Sequence, residues 1–274
     1  MTLLVQISDT HFGTESPPVV EALVRMVVEQ APALVVLSGD LTQRARPAQF
    51  RAARAFVDRL GVPATLVIPG NHDIALYNVA SRLFSPYANH RRAFGHELEP
   101  SFESEALLVV AVNTTRPYLH ERGVVSPAQI ERVARRLEAA SEAQLRIVVT
   151  HQPVHVIRAQ DRDELLRGHE RALRRWSAAG ADLILGGHSH LPFVQALHDH
   201  HAGLARRVWV VQAGTAVSAR VRHGAGNSIN LIRRLDPLPT RRCVVERWDY
   251  QAAAQVFAPV EVVEMELDAG AVAP

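Results

Sequence analysis

The chain contains no lysine. All 30 basic residues are arginine, set against 28 acidic residues, for a formal net charge of +2. Arginine stays protonated past pH ~12, so the sequence pI of 9.1 overstates the positive charge at neutral pH. Arginine pairs stand at 91–92, 135–136, 174–175, 206–207, 233–234 and 241–242. They are dispersed, whereas a nucleic-acid footprint gathers cations on one face, so composition argues against a nucleic-acid partner. A single cysteine, Cys243, excludes an internal disulfide and fits a reducing, cytoplasmic setting. No apolar run reaches the roughly 18 residues that a bilayer demands, which predicts no membrane span. The opening MTLLVQISDTHFG has no basic n-region and no small-residue cleavage site, so it does not read as a signal peptide. Repeats, low-complexity tracts and Ser/Gly linkers are missing too. With 47% hydrophobic and 21% charged residues in 274, one soluble domain spanning 1–274 is expected.

What is present is a recurring pattern: an apolar, β-branched run that halts at polar residues. LLVQIS (3–8) stops at Asp9-Thr10-His11, and ALVVLS (33–38) at Gly39-Asp40. ATLVIP (64–69) stops at Gly70-Asn71-His72-Asp73. LRIVVT (145–150) stops at His151-Gln152-Pro153, and ADLILG (181–186) at Gly187-His188-Ser189-His190. Such runs suit strands buried on both faces. Helical patterns separate them at 17–30, 47–60, 126–140 and 163–180, with prolines at the first turns, Gly61 as a C-cap and Ser126 as an N-cap. Alternation of this kind implies parallel strands with helical crossovers. After residue 190 come short strands without helices, expected to form a second, largely antiparallel sheet. The fold class expected is α/β, a four-layer αββα sandwich with two mixed β-sheets. The strands at 241–274 offer an edge for a homodimer.

Ligands of parallel α/β sheets bind beyond the carboxyl ends of the strands, where all five polar clusters lie. Converging there, Asp9, His11, Asp40, Asn71, His151, His188 and His190 supply carboxylate, amide and imidazole donors. That mixture suits Mn, Fe or Zn better than Ca or Mg. Seven donors exceed the needs of one four-coordinate ion and fit two transition-metal ions sharing a carboxylate. Glycines 186 and 187 are expected to let the backbone turn beside bulky ligands. In an extended segment i and i+2 face one way, which would aim both His188 and His190 at the site.

In this order, DTH, GDLT, GNHD, THQP and GGHSH resemble the motifs of the calcineurin-like metallophosphoesterases, and the ISDTHF start is most similar to the branch holding bacterial class III cyclic-nucleotide phosphodiesterases. The segment at 113–137 resembles that branch as well, although Asn113 stands where the family often has Asp. The resemblance implies that Asp9, His11, Asp40 and His190 hold one metal and that Asp40, Asn71, His151 and His188 hold the other, Asp40 bridging. It further implies that His72 is a catalytic proton donor or charge stabiliser, oriented by Asp73. Two metals would cradle the phosphoryl oxygens and lower the pKa of a bridging water, giving hydroxide attack on a phosphodiester, with His72 assisting the departing alkoxide.

A small-molecule phosphodiester, nucleotide-type by preference, is the expected substrate. The alternatives are a nucleotide-sugar-lipid pyrophosphatase or a nuclease of the same superfamily, and a non-enzymatic, metal-stabilised binding module. Arg44 and Arg46 follow the GDLTQ motif and are candidates for a phosphate contact. Residues 74–95 are either a lid or core packing. As a lid they would offer Tyr77 or Tyr87 for stacking and Leu83 and Phe84 for an apolar group. His90 and His96 are candidates for the cleft, His155 for substrate contact or packing, and HDHH (198–201) for a solvent-facing hairpin turn.

Overall fold

The computed structural model describes residues 2–76, 79–222, 224–235 and 241–268. Two six-stranded mixed sheets pack face to face between helices, which gives four layers. The first sheet has the order β12-β11-β10-β1-β2-β3. It contains β1 (Thr2–Ile7), β2 (Leu34–Leu37) and β3 (Thr65–Val67), parallel to one another. It is extended antiparallel by β10 (Ser228–Leu235), β11 (Arg241–Gln251) and β12 (Val256–Leu267). The second sheet has the order β4-β5-β6-β7-β9-β8. Here β5 (Leu107–Ala111), β6 (Leu145–Val149), β7 (Leu183–Gly186) and β9 (Trp209–Gln212) run parallel. The edges β4 (Ser101–Glu103) and β8 (Phe193–Ala196) are antiparallel.

This corrects the expected division. The strands after residue 190 do not form one antiparallel sheet: β8 and β9 complete the second sheet, while β10, β11 and β12 extend the first. β4 and β5 lie outside the five runs read from sequence.

The side-chain period of two in a strand sorts three cores. Leu4, Leu34, Val36 and Leu66 face Leu107, Val109, Ile147 and Leu185 between the sheets. Leu3, Val5, Val35 and Leu37 face outward onto α1 (Pro17–Gln30) and α2 (Pro47–Leu60). Leu108, Val110 and Val148 meet α5 (Pro127–Glu138) and α6 (His169–Ala178). Helix α5 buries the expected stripe Ile130, Val133, Ala134 and Leu137, and each such burial contributes roughly 1.5–3 kcal/mol for the larger side chains. Its start is fixed by Ser126, whose Oγ accepts from Gln129 N at 3.2 Å. The segment after β3 carries two short helices, α3 (Val79–Phe84) and α4 (Ala88–Phe94). None of the helices among the described residues is long and apolar enough to cross a membrane.

Candidate metal centre and its cleft

The carboxyl ends of β1, β2 and β3 meet those of β6 and β7 along one rim. A polar stitch holds the two sheets in register there. Gln6 Nε2 donates to Gly186 O at 2.9 Å, and His188 N donates to Asp9 Oδ2 at 3.0 Å. Close approach is built in at Gly187, where a Cβ would run into Ser8 Oγ and Asp9 Oδ2. Its φ is not left-handed, so space next to Asp9 demands the glycine there, not the freedom to turn.

The rim residues have an unusual backbone. Among the described residues, eight that are not glycine have positive φ. Five of these are Asp9 (52°), His11 (43°), Asp40 (51°), His188 (72°) and His190 (57°). Left-handed backbone is costly for such residues and concentrates at functional sites. His188 and His190 therefore do not share a face because the segment is extended, as the sequence suggested. Each is turned inward by its own left-handed residue, while the buried Ser189 accepts at Oγ from Gln212 Nε2 at 3.2 Å.

Eight side chains from the five motifs meet here. Three overlapping groups have atoms close enough together to hold a cation: Asp9, His11 and His190; His11, Asp40 and His72; Asp40, His151 and His188. Asp40 reaches two of them, with Oδ1 3.3 Å from His151 Nε2 and Oδ2 3.7 Å from His11 Nε2. Asn71 Oδ1 lies 3.1 Å from His151 Nε2 and 2.9 Å from His188 Nδ1. Backbone carbonyls set two tautomers. His151 Nδ1 lies 2.9 Å from Ser38 O, and His190 Nδ1 lies 3.0 Å from Arg220 O. A carbonyl only accepts, so both Nδ1 atoms carry a proton and both Nε2 atoms face the centre.

The donor set fits a pair of metal ions. Asp9 Oδ1 is buried with no hydrogen-bond partner and sits 3.3 Å from His190 Nε2. That Nε2 is itself 3.0 Å from His11 Nε2. Orphaned acceptors and facing imidazole lone pairs in a buried site are resolved by a cation. Burial alone would raise Asp9, but the His190 and His151 imidazoles beside it outweigh burial and hold it down to about 2. Burial pushes His11 and His188 down to about 3 each, leaving neutral imidazoles. His151 is held up at about 9: burial opposes its charge, but the Asp40 carboxylate outweighs burial.

His72 is half-buried over this centre, with its ring 4.8 Å from that of His11 and at right angles to it. The sequence assigned its orientation to Asp73, and the structure corrects this. His72 Nδ1 is 3.0 Å from Gln43 O. Asp73 instead accepts from Leu41 N and Gly70 N at Oδ2, and from Thr42 N and Thr42 Oγ1 at Oδ1, over 2.8–3.0 Å. It staples the β2 and β3 loops together. Burial and the Asp40 carboxylate push it up to about 6 against those donors.

Two cavities open beside His72, and both include Asn71 and His72. One, of about 250 Å³, is lined by Gln43, Arg44, Ile74, Leu76, Arg82, His120 and Arg220. The other, of about 220 Å³, is lined by Asp40, Glu121, Arg122, Asp163, Glu164, His188, His190 and Arg222. Arg44 is thus at the cleft. Arg46 is not: it is exposed at the start of α2, where its N donates to Gln49 Oε1. Leu83 and Phe84 are 68% and 84% exposed, line neither cavity and pack no core. Tyr87 is committed to Thr115, 2.9 Å from its Oγ1. Tyr77 lies outside the described residues.

His90 is buried between Phe50 and Phe94, away from the cleft, and His96 lines a separate surface depression with Arg116 and Gln129. Asn113 closes a local turn through Thr115. His155 packs on His201 and Gln195. The HDHH stretch connects β8 to the antiparallel β9; its Asp199 and His200 are exposed, while His198 and His201 are half-buried. Sequence reasoning missed Arg82, His120, Arg122, Arg220 and Arg222. For Arg220 and Arg222 a signal existed: RVWVVQAG is one more apolar run ending in polar residues, SARVR among them.

Residues 2–192 match the profile of the calcineurin-like phosphoesterases. The chain belongs to that family. A relative of this phosphoesterase, described as a probable cyclic nucleotide phosphodiesterase of Synechococcus sp., is 28% identical over 216 residues, which cover 71% of this chain and 76% of the relative. A glycerophosphodiester phosphodiesterase of Enterobacter lignolyticus is 39% identical over 82 residues, 26% of this chain and 29% of its own. The solved structure of a dimetal phosphatase from Danio rerio superposes with a TM-score of 0.69 at 13% identity, over 97% of this phosphoesterase and 99% of its own chain. That likeness is one of fold.

Proposed function

We propose that the protein is a dinuclear metal-dependent phosphodiesterase acting on a small-molecule, nucleotide-type diester. The observation that carries this reading is Asp40, whose two carboxylate oxygens face the two halves of one buried donor cluster. In this reading Asp9, His11, Asp40 and His190 hold one ion. Asp40, Asn71, His151 and His188 hold the second. The mixed nitrogen and oxygen donors suit manganese, iron or zinc. Two such ions supply Lewis acidity, neutralising phosphoryl charge and making water nucleophilic near neutral pH.

The chain's own groups do the rest. Asn71 Oδ1 lies 3.1 Å from His151 Nε2 and 2.9 Å from His188 Nδ1, where all three would face the second ion. His72 donates a proton from Nε2 to the departing alkoxide. Its Nδ1 proton is committed to Gln43 O, so the acid form is the imidazolium, with one N–H fixed and the other free for the leaving group. Asp73 keeps the loop that carries His72 against the β2 loop.

A diester has two organic arms, and two cavities flank His72 and Asn71. That arrangement supports the diester reading. The named activity of the Synechococcus relative supports the nucleotide type. The single buried Cys243 accords with a reducing, cytoplasmic location. The test is kcat/KM for bis-p-nitrophenyl phosphate against p-nitrophenyl phosphate with Mn²⁺, corrected for intrinsic reactivity. The diester is expected to be preferred, and a clear monoester preference overturns the reading.

A further inference from the structure

The two cavities beside His72 differ in charge. The one bounded by Ile74 and Leu76 has three guanidinium groups, Arg44, Arg82 and Arg220, with the imidazoles of His72 and His120. Its described lining contains no carboxylate. The other places Asp40, Glu121, Asp163 and Glu164 against Arg122 and Arg222. An anion is favoured in the first and opposed in the second.

The hydrogen bonds of Arg82 and Arg220 leave the charge of these two guanidinium groups standing. Arg220 Nη1 donates to Gln43 Oε1 at 3.0 Å and lies 3.5 Å from His72 Nε2. Arg82 donates to two backbone carbonyls, Ala75 O at 3.4 Å and Leu119 O at 2.9 Å. These are neutral acceptors, which orient a guanidinium without cancelling it. Partial burial disfavours the charge of Arg220, as do the neighbouring Arg222 and Arg44, against the attraction of Asp40 and Asp9. Gathering like charges is costly unless a ligand of opposite sign occupies the space between them.

Hydrolysis of a simple diester does not require this arrangement. Two divalent ions bring four positive charges. Asp9, Asp40, a monoanionic diester and a hydroxide nucleophile bring four negative ones. The reacting phosphate is then balanced without the arginines. Planar guanidinium forks pair with phosphate and carboxylate oxygens.

We infer that the substrate carries a second anionic group, a phosphate or a carboxylate, on the arm that lies along Ile74 and Leu76, and that Arg82 and Arg220, with Arg44, bind it. The opposite arm, facing Glu121, Asp163 and Glu164, is uncharged or cationic. The inference rests on the phosphodiesterase reading and narrows its substrate class to diesters or organic pyrophosphates with a further oxyanion close to the scissile bond.

The test compares ethyl p-nitrophenyl phosphate with the same diester bearing a terminal carboxylate or a terminal phosphate on the ethyl arm. The measured quantity is the ratio of kcat/KM for each charged arm to that for the neutral arm, which cancels damage to the shared chemistry. At least a tenfold preference is expected for one charged arm in the wild type, and the better arm identifies the oxyanion. Arg82→Gln and Arg220→Gln should each bring the ratio toward one. A wild-type ratio at or below one, or a ratio unmoved in both variants, overturns the inference. Equilibrium dialysis of phosphonoacetate and methylphosphonate against the metal-loaded protein needs no turnover. Phosphonoacetate should bind at least tenfold more tightly to the wild type and lose that advantage in Arg82→Gln; equal binding of the two overturns the inference. If no diester is hydrolysed, the phosphodiesterase reading falls, while the dialysis still decides whether the cavity takes an anion.

Discussion

His72 Nδ1 lies 3.0 Å from the carbonyl oxygen of Gln43. Asp73, the next residue along, spends both carboxylate oxygens on Leu41, Thr42 and Gly70. Two adjacent residues of one motif thus have separate partners, His72 a single backbone carbonyl and Asp73 the two loops that it ties together.

His72→Ala should lower kcat by about 10²–10⁴ on a diester with an alkyl leaving group and leave metal content and Tm close to wild type. The loss on p-nitrophenyl esters should be smaller, because that leaving group needs little protonation. Equal losses on both would assign His72 a role other than proton donation.

Asp73→Asn should behave in the opposite way. The amide oxygen can replace one carboxylate oxygen, but its NH2 faces donors on the other side. Losing two charge-assisted hydrogen bonds costs about 3 kcal/mol, or roughly 6–12 °C in Tm for a chain of this size. Calorimetry of the metal-loaded protein checks it. A change in Tm of a degree or less would mean that the staple is not holding the two loops.

Gly187→Ala should damage the metal centre although the side chain gained is one methyl group. The new Cβ collides with Ser8 Oγ and Asp9 Oδ2, and the repacking costs about 1–3 kcal/mol. Elemental analysis should find at least half the metal gone, and wild-type content would contradict the argument.

His90 should make the fold acid-sensitive without bearing on the reaction. It is fully buried between Phe50 and Phe94, neither ring nitrogen has a partner, and burial pushes it down from 6.5 to about 4. The unfolded chain takes up this proton near pH 6.5 and the folded chain only near 4. Its neutral form therefore fits the fold at full stability above about pH 6.5. Stability is lost as the pH falls from there toward 4, by about 3 kcal/mol. Urea midpoints for wild type and His90→Phe should converge at neutral pH and separate between pH 6 and 4. Parallel curves across that range would contradict it.

Legibility in the sequence followed how local each cause was. Pro17, Pro47, Gly61, Ser126 and Pro127 fix helix ends through their own backbone chemistry: α1 and α5 begin, and α2 begins and ends, where those residues predict. The five apolar runs mark strands because burial on both faces needs them continuous. β5 was missed because LLVVA (107–111) leads to Asn113, which offers no chemistry that would single it out. The split of the later strands between two sheets depends on pairing partners, and short strands carry little information about those. The left-handed backbone at His188 and His190 is invisible to a periodicity argument that assumes extended chain. Arg82 and Arg220 are far apart in the chain and meet only because the α3 segment and the loop after β9 reach the same side of His72.

The central claim is that two metal ions held across Asp40 drive diester hydrolysis. Its most direct test is to strip the protein with chelator and titrate Mn²⁺ back while following bis-p-nitrophenyl phosphate hydrolysis and bound metal together. Activity should be absent without metal and should saturate at two bound ions per chain, with His11→Ala retaining one ion and Asp40→Ala losing both. Turnover that survives stripping, or that saturates with one ion bound, would contradict the account.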